Sequence, residues 1–414
     1  MILGAVLSAL LIAELVLRVT GQSYYWAIAK RPDALLGWRP APNSSAWQSF
    51  EGRALVRTNA LGFRDRDHAP AKPDGVIRIA VLGDSFTEAV QVPVEETWWR
   101  LLESRLNGGA CGIGPAASSV EVLNFAVSGY SSAQALLTLR AHALDFDPDL
   151  VLLTFFIGND LVENSRALDK EPLRPYFALA PDASGLRLDD GFLRGDAYRQ
   201  ATSPAGRARQ WLAEHLRLLQ LSIQARDALR QRRAAETAPA SAADPTEPGV
   251  DSGVFRPPRT PQWQQAWRTT EAILASFAQE VRDAGARPLI LLIGTGAQVH
   301  PNAGAVAGFA RALGVADLGY PVRRLLATAD ALNVPLVNLP AVLAAQAERD
   351  GRSLHGFPEA IPGFGHWNTR GHQGAAEAAA ERLCQLLTTT PDCSASPVLA
   401  CWPPMRCCPR SSSC

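Results

Sequence analysis

The sequence predicts an α/β protein built on a doubly wound, mostly parallel five-stranded sheet flanked by helices, with an inserted hairpin-plus-helix region. Two observations carry this prediction. Apolar, β-branched runs of strand length recur at residues 77–82, 120–125, 150–157, 288–293 and 334–339. Segments of helical character, at 95–106, 132–144, 263–284 and 322–332, alternate with them. Strand, helix, strand in repetition is the signature of a parallel sheet whose strand ends share one rim, and open sheets of this kind bind ligands there.

Composition narrows the function classes. The chain has 414 residues, 47% of them hydrophobic, enough for a full core, and its length suits one large domain with additions or two smaller ones. Lys plus Arg and Asp plus Glu number 40 each, so no charge excess points to a nucleic-acid partner. Of seven cysteines only Cys111 lies in the body of the chain; Cys384, Cys393, Cys401, Cys407, Cys408 and Cys414 crowd its end. The core is therefore not expected to be built on disulfides.

Taken in order, residues 2–17 form an apolar run interrupted by Ser8 and Glu14 and closed by Arg18. At about 1.5 Å per residue it reaches roughly 25 Å, short of a ~30 Å hydrocarbon core unless its flanks help. Tyr24, Tyr25 and Trp26 follow at an interfacial distance. The basic n-region of a signal peptide is missing and Ala27-Ile28-Ala29 lies too far on for cleavage, so residues 1–20 read as an uncleaved anchor rather than a signal peptide or a buried helix. A start codon set too far downstream would account for both the short span and the missing basic residues. Residues 21–75, rich in Pro, Arg and Trp, read as an extended lead-in over the globular domain, with ordered turns at Leu36-Gly37-Trp38-Arg39 and Asn59 to Arg64.

The first strand ends in Gly83-Asp84-Ser85, a tight turn with a hydroxyl at its tip, which makes Ser85 the candidate nucleophile. The second ends at Ser128-Gly129 and the third at Gly158-Asn159-Asp160, so Ser85, Gly129 and Asn159 are expected to meet. Residues 166–285 form an insertion: a hairpin over 176–188, a basic helix over 207–233 and a flexible linker at 234–258. The helix is expected to show a solvated face more often than a membrane-surface one. His366 stands on a loop before a helix that Asn368 or Thr369 caps, free to reach Ser85. His372, six residues on, shares no helical face with His366, and no metal or cofactor is expected. Residues 389–414 lack zinc spacing and read as a disordered Cys-rich tail.

Four separated pieces in this order, Gly83-Asp84-Ser85-Phe86, the Gly129 block, Gly158-Asn159-Asp160 and His366 with Trp-Asn-x-x-Gly-His, resemble the SGNH (GDSL-type) hydrolases. The resemblance spans residues 76–165 and 286–388 and implies a flavodoxin-like three-layer hydrolase domain. The apolar N-terminus, the Leu-Gly-Trp-Arg stretch and Gly62-Phe63-Arg64 resemble the membrane-anchored bacterial branch of the group. It implies Ser85 as nucleophile, His366 as general base, and an oxyanion hole from the Ser85 and Gly129 amides and the Asn159 side chain. The implied activity is a serine esterase or O-acyltransferase acting on ester groups, acetyl among them, of a polysaccharide or acylated small molecule. The implied location is membrane-anchored with the domain outside the cytoplasm, although Arg18, Lys30, Arg31 and Arg39 after the apolar run point inward by the positive-inside rule.

One departure matters. The group has Asp two or three residues before its histidine, where this chain has Phe364 and Gly363. Three arrangements stay open: a backbone carbonyl orients His366, another carboxylate such as Glu359 or Asp160 does, or the domain is an impaired member serving as a glycan- or protein-binding module. What lies beside the His366 nitrogen that faces away from Ser85 discriminates among them. Asp84 and Asp160 are expected to be structural, and Ser131 and Ser132 to cap the next helix.

Overall fold

The runs Val76–Leu82, Leu150–Phe156 and Arg287–Ile293 are buried along nearly their whole length. Apolar strands of this kind need cover on both faces, which only a parallel sheet between two helical layers provides. A computed structural model, describing residues 1–111, 119–180, 185–237, 247, 249–358 and 363–388, has that architecture. The N-terminal part comprises α1 (Ile2–Val19), the antiparallel pair β1 (Arg31–Asp33) and β2 (Gly37–Arg39), and the antiparallel pair β3 (Ser45–Gln48) and β4 (Ala54–Arg57). The first half of the core follows with β5 (Val76–Leu82), α2 (Ser85–Glu88), α3 (Trp98–Asn107), β6 (Ser119–Asn124), α4 (Ser132–Ala141), β7 (Leu150–Phe156) and α5 (Asp160–Glu163). The insertion holds the hairpin β8 (Tyr176–Leu179) and β9 (Leu186–Asp189), then α6 (Asp196–Thr202), α7 (Pro204–His215) and α8 (Arg217–Thr237). The core closes with α9 (Pro261–Asp283), β10 (Arg287–Ile293), α10 (Ala303–Ala312), α11 (Tyr320–Ala331), β11 (Leu336–Asn338), α12 (Leu339–Asp350) and α13 (Thr369–Thr388).

The five core strands run in the order β11-β10-β7-β5-β6, all parallel. Their side chains divide with the period of two that a pleated strand imposes. Ala80 and Leu82 of β5 join one cluster with Leu136 of α4, Phe277 of α9 and Leu325 of α11. Ile79 and Val81 join the other, with Trp98 and Trp99 of α3, Leu343 of α12 and Leu383 of α13. Each fully buried Val, Leu or Ile contributes about 1.5–3 kcal/mol by transfer, so the register of β5 is strongly specified.

Three sequence expectations need correction. Residues 207–233 form two helices, because Leu216 is extended (φ −107°, ψ 115°). The amides freed at the start of α8 are taken by the Glu14 carboxylate of α1, from Arg217 at 3.1 Å and Leu218 at 2.9 Å. The described end of the 234–258 stretch is packed: Glu247, Val254 and Phe255 are buried. The core also carries a disulfide, Cys111–Cys384, which ties the turn after α3 to α13 across 273 residues, a separation at which sequence spacing gives no sign of pairing. The cysteines beyond it, Cys393 to Cys414, lie outside the described residues. Removing a native disulfide typically costs about 2–5 kcal/mol. The double variant Cys111→Ser/Cys384→Ser is therefore expected to melt several degrees below wild type in a thermal scan, and reduction should lower wild type to the same level; equal melting temperatures would show the bridge to be dispensable.

Candidate active site

The Ser85 turn is shaped by close approach. A Cβ on Gly83 would stand 1.7 Å from Thr154 Oγ1 of the neighbouring strand, so only glycine lets the chain turn there. Thr154 Oγ1 in turn donates to Leu82 O and pairs with Thr87 Oγ1 at 2.8 Å. Asp84 is the N-cap of α2, its Oδ1 accepting from Phe86 N at 3.0 Å, which leaves Ser85 at the first helical position and half-exposed. Because β5 lies between β6 and β7, the loops of Gly129 and Asn159 flank it.

A Cβ on Gly129 (φ +77°) would stand 3.5 Å from Trp38 Cζ2, and the Gly129 carbonyl accepts from Arg174 Nη1 at 2.7 Å. Next to it, Ser131 caps α4 in a reciprocal box with Gln134. Ser128 N donates to Glu88 Oε2 at 2.7 Å, and Tyr25 OH donates to the other oxygen of the same buried carboxylate. Arg64, also buried, donates to the carbonyls of Glu88 and Ala89 at the end of α2 and of Val92 just beyond it. The Leu-Gly-Trp-Arg and Gly-Phe-Arg motifs of the lead-in thus brace the loops around Ser85, a role their sequence alone did not disclose. Asn159 is the N-cap residue of α5 but makes no side-chain capping bond. Asp160 Oδ2 accepts from Phe156 N at 2.9 Å. Burial raises the Asp84 carboxyl to about 6 and drives Asp160 well above the ordinary carboxylate range, with their mutual repulsion adding to the shift on Asp160.

His366 reaches Ser85 from the loop before α13. Its Nε2 lies 2.7 Å from Ser85 Oγ. Its other ring nitrogen, Nδ1, meets Glu51 Oε2 in a short hydrogen bond, and its amide donates to Glu51 Oε1 at 3.2 Å. The position left open by Phe364 and Gly363 is therefore filled by a residue 315 positions upstream, in the turn between β3 and β4. Asp160 does not fill it, being engaged with Phe156 N, and Glu359 lies outside the described residues. An ionised carboxylate only accepts, so Nδ1 carries the proton and Nε2 is free to accept from the serine.

The loop is held on several sides. A Cβ on Gly365 (φ +81°) would sit 2.1 Å from Glu51 Oε1, so glycine is what allows the carboxylate to close on the histidine backbone. Buried Glu247 accepts from Gly365 N, Gly296 N and Ala297 N at 3.2, 2.9 and 3.0 Å. His355, paired with Trp367 in an antiparallel bridge, places Nδ1 2.7 Å from Gly365 O; burial lowers its pKa to about 4, so it is neutral and donates. Asn368 caps α13, accepting from Arg370 N and Gly371 N. His372 is no partner of His366; its Nδ1 accepts from Trp98 N at 3.4 Å. Burial disfavours the charged imidazole of His366, but the hydrogen bond and charge of Glu51 outweigh it and leave the pKa above the ordinary histidine value. Burial likewise opposes ionisation of Glu51, and the His366 hydrogen bond and charge overcome it, leaving that pKa lowered.

Fold and site together define a three-layer α/β protein carrying a serine–imidazole–carboxylate array at the carboxyl rim of its sheet. No protein-family model and no curated protein matches the chain. Among solved structures it is similar in fold to TesA, at 18% identity over 75% of this chain and 99% of that one, with a TM-score of 0.33. It is similar also to a catalytic mutant of the acetylxylan esterase Axe2 from Geobacillus stearothermophilus (12%, 76% and 96%, 0.35) and to a lipase/acylhydrolase from Enterococcus faecalis (12%, 75% and 96%, 0.35).

Proposed function

We propose that the chain is an SGNH-type serine esterase or O-acyltransferase working through an acyl-enzyme on Ser85. The observation that carries this is the unbroken line from Ser85 Oγ through His366 to the Glu51 carboxylate. In the first step Ser85 Oγ attacks an ester carbonyl while its proton passes to His366 Nε2, and the imidazolium so formed is stabilised by Glu51. The negative oxygen of the tetrahedral species accepts from the Ser85 and Gly129 amides and the Asn159 side chain. Collapse expels the alcohol, which takes the proton from His366. Water or a sugar hydroxyl, giving its proton to His366 Nε2, then attacks the acyl carbonyl; the Ser85 Oγ–acyl bond breaks, Oγ takes the proton back, and the acid or the new ester leaves, so the identity of that second nucleophile is what separates hydrolysis from transfer. The substrate we assign is an ester, acetyl among them, on a polysaccharide or acylated small molecule. A carboxylate beside the outer imidazole nitrogen favours this reading over an impaired binding module.

We also place the chain in a membrane through α1, whose 18 residues have a mean hydropathy of 2.3 and include no buried residue, with the domain outside the cytoplasm. The Cys111–Cys384 disulfide supports that side, since such bridges persist in oxidising compartments. The decisive test is p-nitrophenyl acetate with the full chain in detergent: a burst of nitrophenolate stoichiometric with protein, and an acetyl mass added to the Ser85 peptide, are expected. Absence of both burst and adduct, on this ester and on longer acyl chains, would return the domain to the binding-module reading. Asn159→Ala is expected to lower kcat about 10²- to 10³-fold with little change in KM, since its donor bond strengthens only as charge develops. A rise in KM alone would remove Asn159 from the oxyanion hole.

A further inference from the structure

Helices α7 and α8 show apolar side chains that nothing else among the described residues covers. Trp211 and Leu212 on α7 are 56% and 37% exposed, and Leu221 and Leu229 on α8 are 45% and 55% exposed. Leu221, Ala225 and Leu229 recur at four-residue spacing, so they form one exposed stripe, and Arg207 and Arg209 of α7 and Arg230 of α8 are exposed on the same two helices. A large apolar patch rimmed by polar groups marks a surface that something covers.

What covers it is indicated by where the elbow between the two helices is attached. Glu14, near the carboxyl end of α1, accepts from the first amides of α8, and Arg18 donates both to Glu14 and to His215 O at the end of α7. Trp211 lies one turn before His215 and stacks on its ring at 4.6 Å between centroids. The apolar face of α7 and α8 is thus continuous with the polar end of the one helix apolar enough to cross a bilayer among the described residues. A carboxylate and a guanidinium mark the level at which α1 leaves hydrocarbon, because charge is costly any deeper. Tryptophan beside them occupies the interfacial belt, where an amphipathic ring is best placed. The acids nearby do not cancel the basic rim: Asp227 is paired with Arg226 and Glu214 with Arg31.

We propose that the α7–α8 elbow lies in the headgroup layer of the membrane that α1 enters, with Trp211, Leu212, Leu221 and Leu229 at the acyl boundary and the arginines on anionic headgroups. The proposal rests on the anchor reading of α1. It adds that the domain is docked on the bilayer rather than tethered above it. Gln224 of α8 donates to Ser49 Oγ at 3.3 Å and Gln220 accepts from Tyr24 N at 3.2 Å, so the docked helix is bonded to the same lead-in that bears Glu51.

The test uses the full chain reconstituted in vesicles of phosphatidylcholine and phosphatidylglycerol brominated near the headgroup end of their acyl chains. The emission of Trp211 is obtained as the difference between wild type and Trp211→Phe, and flotation is recorded in parallel. Docking predicts at least a twofold quenching of that difference spectrum, with recovery in Leu221→Glu/Leu229→Glu although the variant still floats with the vesicles. An unquenched Trp211 in protein that floats would overturn docking while leaving the anchor intact, and would assign the patch to a protein partner. A chain that does not float would remove the anchor and the docking together.

Discussion

Ser85→Ala and His366→Ala are each expected to lower acyl-ester turnover by about 10⁶-fold, and the double variant to lose no more than either alone. The reason is that in the proposed mechanism the two side chains perform one event. The hydroxyl is a poor nucleophile until Nε2, 2.7 Å away, accepts its proton, and the imidazole has nothing to deprotonate once the hydroxyl is gone. What should survive in either variant is the stabilisation the proposed oxyanion donors and binding give to water attack, roughly 10³- to 10⁴-fold over solution. Neither change should disturb folding much: Ser85 is half-exposed, and the cap of α2 runs through Asp84 Oδ1 and Phe86 N, not the serine hydroxyl. The measurement is p-nitrophenyl acetate turnover for wild type, both single variants and the double variant, with circular dichroism melts beside it. Losses that multiply in the double variant would mean that Ser85 and His366 act in separate steps, and the acyl-enzyme assignment would fall.

How much of this was legible in the sequence follows from how local each signal is. The five strands were readable because a buried parallel strand is an uninterrupted apolar run, and β5, β7 and β10 are nearly that. The rim positions of Ser85 and Asn159 were readable because each follows its strand within a few residues, and the loop position of His366 because it precedes a helix with a clear cap. Glu51 was not readable. Hydrogen-bonding reach is a property of space, and the hairpin that carries Glu51 is placed by contacts its own sequence does not display, such as Trp47 N on Ser23 Oγ and Ser49 on Gln224 of α8. The lead-in lacks periodicity because its strands are only three or four residues long, too short for alternation to show. Its buried arginine was a sign that could have been weighed: Arg64 lies in a segment otherwise read as turns, and a guanidinium is buried only where carbonyls or carboxylates await it. The break at Leu216 was invisible for the same reason as Glu51, since the group that satisfies the start of α8 comes from α1, some two hundred residues away.

Glu51→Gln carries the second large effect, a fall in kcat/KM of about 10³- to 10⁴-fold. Glutamine has nearly the same shape, so the hairpin turn and the bond from His366 N to the side chain can persist; what is lost is the charge and the certainty of acceptance. An amide can turn its NH₂ toward Nδ1 and fix the opposite tautomer, with the proton on Nε2, where the imidazole can no longer take the serine's proton. A loss of rate alone would not separate this role from simple stapling of the loop, because Glu51 also accepts from the His366 backbone. The pH profile separates them. In the proposed mechanism the working base is neutral imidazole, so kcat/KM is expected to rise with pH through the His366 pKa, which Glu51 holds above the ordinary value of about 6.5 against the opposing effect of burial. With the carboxylate replaced, burial is left to act against charging the ring, and the acid limb is expected to move to lower pH even as the plateau falls. Glu51→Asp keeps the charge on a shorter stem and should retain a limb nearer to wild type with an intermediate plateau. A Glu51→Gln profile with its acid limb unmoved would show that the carboxylate acts on the loop and not on the imidazole, and the histidine would then have to find its orientation elsewhere.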